Sequence, residues 1–204
     1  MTKSMRHLVV LSLPMFFAYP VTSMAGPPTD QIKATVDNAV GLLRESRDKS
    51  AGSQDRREQL REILFTRFDF SEMARRALGA HWRRRTATEQ EEFVQLFTEL
   101  LERQYAGIIE SYTDEKIVYL SERIDGAFAE VNSKIFTAKG QELSINYKAQ
   151  LIGQEWKVYD VIAEEISLVN NFRSQFNRVI SSSSYDELVR RLREKQADVI
   201  PVKN

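Results

Sequence analysis

Within residues 156–176, WKVYDVIAEEISLVNNFRSQF, the hydrophobic pattern changes period. Trp156, Val158 and Ile162 share one side of an extended segment, and Tyr159 and Val161 share the other, as in a strand apolar on both faces. From Val169 onward the period lengthens. Val169, Phe172, Phe176 and Ile180 recur every three or four positions, the spacing of one stripe of a helix. A strand that runs straight into such a helix implies a sheet covered by helices, with aromatic side chains between the layers. That arrangement forms either a plain core or an apolar pocket.

The rest of the chain sorts around this joint. Ile32, Val36, Val40 and Leu43 predict a helix over 31–47, capped by Pro-Pro-Thr-Asp, and Leu60, Ile63, Leu64 and Phe68 predict a second. Asp69 or Ser71 starts a short third helix that Gly79 ends. The longest follows a Thr86–Glu89 capping box, and its stripe is Phe93, Phe97, Leu100, Leu101, Tyr105, Ile108 and Tyr112. Helices over about 168–180 and after a Ser184–Glu187 box complete the chain.

Turn signals at Asp125-Gly126, Lys139-Gly140 and Gly153-Gln154 predict an antiparallel meander between these helical parts. The first turn pairs Ile124 with Ala127 and sets Leu120 against Val131. At the second, a three-residue loop over 139–141 keeps the apolar faces aligned. It pairs Ile135 with Ile145, Ser133 with Tyr147 and Val131 with Ala149. The third pairs Leu151 with Trp156, Ala149 with Val158 and Tyr147 with Asp160. One sheet face then carries Val118, Leu120, Val131, Ser133, Tyr147, Ala149, Val158, Asp160 and Ile162 among others. Several are small, and the room they leave is filled by helices or by a ligand.

The first residues have the pattern of a secretory signal peptide: Lys3 and Arg6, a mostly apolar run over 8–21, and small residues at Ser23 and Ala25. Fourteen residues are too few to span a bilayer as a helix, and without cysteine there is no lipid attachment point. Cleavage after Ala25 leaves a single domain over 26–204, expected in the periplasm of a bacterium. It comprises a helical half over 30–112, a sheet over 115–165 and C-terminal helices over 168–197. It carries 27 basic and 29 acidic residues, a balance that does not suggest nucleic-acid binding. A monomer is expected. Stability comes from packing, since there are no disulfides.

No catalytic set emerges. His81 is the only histidine after residue 25, cysteine is absent, and no metal-ligand spacing or phosphate-binding glycine loop is present. Asp160 is the one carboxylate placed on an apolar face. It is either a general base in a pocket or a buried structural acid accepting from Tyr147, Ser133 or an arginine such as Arg173. Arg75, Arg76, Arg83, Arg84 and Arg85 put five positive charges into eleven residues. They form either a solvated helix end or a docking patch for an acidic partner or an anionic membrane.

Residues 68–112, FDFSEMARRALGAHWRRRTATEQEEFVQLFTELLERQYAGIIESY, and 156–176 resemble the MlaC, or toluene-tolerance auxiliary, family of periplasmic phospholipid carriers. The resemblance covers most of the chain after residue 25. One departure is Glu164-Glu165-Ile166, where the family usually has glycine after an acidic residue. The resemblance implies an α+β, NTF2-like meander of about four strands packed with helices, plus an N-terminal helical subdomain. It implies phospholipid as cargo, no other cofactor and no enzymatic activity, with acyl tails in an apolar cavity between sheet and helices. On this chain the helices are expected to supply Phe93, Phe97, Leu101, Tyr105, Val169, Phe172 and Phe176 to that cavity. The sheet is expected to supply Val131, Ile135, Ile145, Tyr147, Ala149 and Val158. The implied partners are an outer-membrane lipoprotein–porin complex and an inner-membrane ABC transporter bearing a lipid-binding ring, which together maintain outer-membrane lipid asymmetry. Two other readings stay open: an enzyme of the same fold with Asp160 as base, and an adaptor docking through the arginines.

Overall fold

The computed structural model describes residues 27–45, 53–110, 115–137 and 140–194. The predicted signal segment, Tyr112, Lys139 and the end of the last predicted helix lie outside them. The described chain is mixed helix and sheet, as expected. Its elements run α1 (Pro28–Glu45), α2 (Ser53–Arg67), α3 (Phe70–Leu78), a 3-10 helix (Gly79–Arg84), α4 (Ala87–Glu110), β1 (Lys116–Asp125), β2 (Phe128–Phe136), β3 (Glu142–Ile152), β4 (Glu155–Ala163), β5 (Ile166–Ser167), α5 (Leu168–Ser182) and α6 (Tyr185–Arg193).

Local capping chemistry sets most helix starts. Asp69 accepts from Glu72 N at 2.9 Å and opens α3. Thr86 and Glu89 form the reciprocal box: Thr86 N donates to Glu89 Oε2 at 2.7 Å, and Glu89 N to Thr86 Oγ1 at 3.3 Å. Ser167 and Ser184 cap α5 and α6, each accepting a backbone N–H at 3.0 Å. The first helix differs from expectation. It starts at Pro28, so Thr29 lies inside it, and its N–H and hydroxyl both donate to Glu122 of β1. A carboxylate from the sheet thus meets the positive end of α1. Gly79 ends α3 with φ 60° and ψ −130°, a backbone open to glycine, and a Cβ there would lie 3.4 Å from the Arg173 side chain.

The sheet is an antiparallel meander in the order β1-β2-β3-β4-β5, with five strands where about four were expected. Its first turn is one residue later than predicted, pairing Asp125 with Phe128 and Ile124 with Ala129. The second hairpin closes one residue earlier, where Thr137 N donates to the Gln141 carbonyl at 2.9 Å, so Ile135 meets Leu143 rather than Ile145, Val131 meets Tyr147 and Ser133 meets Ile145. Both registers move by two residues, which leaves every side chain on its face. The third turn pairs Leu151 with Trp156 and Ala149 with Val158, as expected.

Two bulges do change faces. One lies at Leu120, between the Tyr119–Ser133 and Ser121–Asn132 pairs, and turns Leu120 outward at 56% exposure. Ile117 and Tyr119, rather than Val118 and Leu120, therefore stand opposite Ile135 and Ser133. The other lies at Tyr159. Beyond it Lys148 faces Asp160, and Tyr147 faces Val161, not Asp160. Asp160 and Ile162 leave the predicted face, and Val161 takes their place against Tyr147.

That face (Ala129, Val131, Tyr147, Ala149, Trp156 and Val158) is covered by Ile32 and Val36 of α1. Arg67 locks the arrangement: its Nη1 donates to Gln31 Oε1 at 2.7 Å and to the Trp156 carbonyl at 2.8 Å, and its Nε to Thr35 at 3.2 Å. Helices α3 to α6 build a second core on the other side of β4. The outer edge of β4 is covered by β5 and by residues 68–69, where Asp69 N donates to the Val158 carbonyl at 2.8 Å.

The β4–β5 turn uses Glu164 and Glu165, both left-handed at φ 48° and 67°. The expected glycine is absent, yet the glycine-type turn forms. Glu164 offsets part of the strain, since its carboxylate accepts from Ser144 N and its own N–H donates to the Ser144 carbonyl at 3.0 Å. Glu165→Gly should relieve left-handed strain of about 1–2 kcal/mol, less the entropy glycine adds to the unfolded chain, for a net gain of about 1 kcal/mol. A thermal midpoint roughly 2–4 °C higher, by circular dichroism, checks this. An unchanged or lower midpoint refutes the strain argument.

Candidate functional site

The thirteen residues expected around one cavity fall into two cores. Phe93, Phe97, Leu101, Val169, Phe172 and Phe176 are buried in the helical core, with Tyr105 packed against it. Val131, Tyr147, Ala149 and Val158 are buried in the sheet core, with Ile145 against it; Ile135 is half-buried on the same sheet face. The four phenylalanines face each other rather than the sheet. Phe97 and Phe172 meet edge to face at 5.2 Å, Phe93 and Phe176 at 5.7 Å, and Phe97 and Phe176 at 5.9 Å. Their rings are at most 1% exposed, so they form a closed cluster of favourable geometry.

Phe68 packs against both cores. Beside it, at the seam, opens a groove of about 270 Å³ lined by Phe65, Phe68, Asp69, Phe70, Ser71, Val94, Thr98, Ile152 and Lys157. Phe65 packs against Phe70 in a tilted pair at 4.5 Å and is 42% exposed, and Ile152 is 49% exposed. The polar groups at its base are already engaged. Asp69 accepts from Gln150 at 3.1 Å, Thr98 donates to the Val94 carbonyl at 2.8 Å, and Lys157 donates to the Thr66 carbonyl at 2.8 Å. Apart from the Ser71 hydroxyl, what remains on offer is apolar wall. None of these lining residues was expected in the site. The available signal was local: Phe65, Phe68 and Phe70 put three aromatics into six residues.

Asp160 does not line this groove. It is 6% exposed and stands at the start of α5. Its Oδ1 accepts from Val169 N at 3.0 Å and its Oδ2 from Ser167 Oγ at 2.6 Å. The donors differ from the Tyr147, Ser133 or Arg173 expected, because the Tyr159 bulge turns Asp160 toward the helix. The Tyr147 phenol stays in the sheet core, where burial pushes it up to about 12, with Ser133 opposing the shift slightly.

The arginine cluster divides. Arg75 and Arg76 both bind Glu72, at 2.5 and 2.6 Å, and the Arg76 guanidinium lies 3.9 Å above the Tyr159 ring. These two arginines hold Glu72 below its ordinary range against the opposing effect of burial. Arg85 pairs with Glu89 and stacks on Tyr185 at 4.4 Å. Only Arg83 and Arg84 are exposed with no partner among the described residues. His81 is half-buried, with Nε2 2.9 Å from Asn177 Oδ1. No helix among the described residues is long and apolar enough to cross a membrane.

A family model described as MlaC protein matches residues 33–194, from α1 through α6. The chain belongs to the MlaC family. It is 25% identical over 130 residues to the Haemophilus influenzae intermembrane phospholipid transport system binding protein MlaC, a match covering 61% of each chain. It thus spans about three fifths of that relative's length. To the toluene tolerance protein ttg2D of Pseudomonas putida it is 25% identical over 178 residues, covering 85% of this chain and 83% of the other. Its fold is similar to that of a phospholipid-binding protein from Ralstonia solanacearum, solved in complex with a phospholipid at 1.53 Å. The TM-score is 0.77 at 25% identity, over 85% of this chain and 99% of that one. The MlaC-family span contains the helical core, the seam and all of the sheet core except Ile32.

Two outcomes test the assignments at the strand–helix joint and in the sheet core. Asp160→Ala strands the Val169 N–H and the Ser167 hydroxyl, so a loss of about 1–3 kcal/mol is expected in urea unfolding, and a smaller one for Asp160→Asn. A cost within the range of surface substitutions would remove the capping role. For Tyr147, the unfolded phenol ionises near 10 and the folded one near 12. Stability is therefore unaffected below pH 10 and falls as pH rises from 10 to 12, because the unfolded chain loses its proton first. The Tyr147 contribution reaches roughly 2–3 kcal/mol by pH 12. Unfolding titrations should show Tyr147→Phe losing less stability than wild type across that interval; parallel curves would contradict the burial argument.

Proposed function

We propose that this protein is a non-enzymatic periplasmic phospholipid carrier. It takes lipid between an outer-membrane lipoprotein–porin complex and an inner-membrane ABC transporter with a lipid-binding ring, and so serves outer-membrane lipid asymmetry. The observation that carries the reading is the likeness, over 85% of this chain and 99% of the other, to a protein solved with a phospholipid bound. The name of the Haemophilus relative, an intermembrane phospholipid transport system binding protein, agrees with it.

The physical account starts from the seam. Each methylene taken from water contributes roughly 0.8 kcal/mol, so diacyl tails supply ample driving force to enter an apolar space. A groove of about 270 Å³ lies just under the usual size of a small-molecule site, roughly 300–1,000 Å³, and two acyl tails need more. The tails therefore enter at the groove and part the two cores along the seam, with Phe68 as their shared contact. The half-buried Ile135 and Ile145 of the sheet face the space so created, and the tightly packed phenylalanine cluster stays shut. The head group remains outside. Asp160, with both oxygens occupied at the helix start, offers nothing to an enzymatic reading.

The test is native mass spectrometry and lipid extraction on protein purified from bacterial periplasm, with uptake from liposomes in parallel. Co-purified phospholipid is expected. Ser71→Trp, on the exposed groove wall, should displace about two methylenes from contact and weaken uptake roughly tenfold, with the thermal midpoint unchanged. Absence of both co-purified lipid and uptake would sink the carrier reading. Normal uptake by Ser71→Trp would move the entrance elsewhere.

A further inference from the structure

A second concavity, of about 250 Å³, lies at the other end of α3, lined by Leu78, Gly79, Ala80, His81, Arg173, Ser174 and Asn177. Arg173 is fixed there by its stem. It lies along Gly79, 3.4 Å from where a Cβ would stand, and its Nε donates to the Arg76 carbonyl at 2.8 Å. Its terminal amines have no partner among the described residues. Asn177 Oδ1 is taken by His81, while its amide nitrogen is free. The unspent capacity of this concavity is therefore donor capacity on a positively charged wall. Residues three apart eclipse in a 3-10 helix, so Arg83 stands on the side of Ala80 and Arg84 on the side of His81. Both are exposed, and no carboxylate answers either of them, or Arg173, among the described residues. The nearby Arg75, Arg76 and Arg85, by contrast, each have a glutamate.

We infer that this concavity docks an acidic protein partner, one of whose Asp or Glu side chains enters between Arg173 and Asn177 while Arg83 and Arg84 meet further carboxylates at the rim. A fixed planar guanidinium suits a protruding carboxylate, which it grips through two parallel hydrogen bonds. A recess suits a projecting side chain better than a flat bilayer surface. The site also stands clear of the groove. Ser71 lines one and Gly79 the other, about 12 Å apart along α3, and the two linings share no residue.

The experiment uses a fluorescein-labelled hexaglutamate peptide and the protein without its signal segment. Anisotropy gives the affinity at low and physiological salt, and NMR maps the perturbed amides. Binding is expected to weaken with salt and to shift Ala80, His81, Ser174 and Asn177. The Arg83→Glu/Arg84→Glu double variant should bind about tenfold more weakly, the loss of two exposed ion pairs, whereas Arg123→Glu on β1 should match wild type. Arg173→Lys, checked for an unchanged thermal midpoint, should also bind more weakly, since it keeps the charge but not the fork. Equal affinity for the double variant and Arg123→Glu overturns the inference. So does arginine-dependent binding to phosphatidylglycerol vesicles without binding to the peptide. Liposome uptake by the double variant is expected to be normal, so this inference and the carrier reading fail separately.

Discussion

Asp160 sits where β4 gives way to β5 and α5, and the start of that helix takes both of its carboxylate oxygens. Ser167 serves twice, accepting from Asn170 N as cap and donating to Asp160. A buried carboxylate without such donors is costly, so the strand and the helix hold each other in place. The Tyr159 bulge makes the contact possible. One extra residue turns Asp160 away from Tyr147 and toward the helices, and leaves the sheet face to Val161. Helix α5 then begins on the side of β4 opposite to α1.

The two-core architecture follows from that placement. With α5 on one side and α1 on the other, the aromatic stripes of α4 and α5 meet each other, while the small residues of the sheet meet Ile32 and Val36. Arg67 bolts α1 and α2 to the end of β4 through Gln31, Thr35 and the Trp156 carbonyl. Each core is complete by itself. At their boundary the exposed Phe65 and Ile152 border a groove. A carrier benefits from such a division, because parting two closed cores exposes less than opening one.

Charge is distributed by the same logic. Glutamates one helical turn away settle most of the arginine-rich stretch, as Glu72 does for Arg75 and Arg76 and Glu89 does for Arg85. Their role is to fix helix ends and cover Tyr159 and Tyr185. Of those left over, Arg173 lines a concavity with the 3-10 helix that carries Arg83 and Arg84, and these separate parts of the sequence meet only because α5 packs beside α3.

Much of this was legible locally. The caps at Asp69, Thr86 and Ser184, the stop at Gly79, the third hairpin and the α+β class all follow from interactions within a few residues, which a sequence displays directly. The family resemblance was legible too. The faces of the sheet were readable as far as the first bulge on each affected strand, because side chains alternate strictly with a period of two. A bulge adds one residue through backbone geometry that no side chain announces, and past it the alternation inverts; Leu120 and Asp160 were misplaced for that reason. Periodicity likewise tells that Phe97, Phe172 and Val158 turn inward, but not what each turns toward. That depends on which side of β4 the chain takes after Ser167. Only the tertiary structure decided it, through the bulge at Tyr159 and the grip of Asp160 on the first turn of α5.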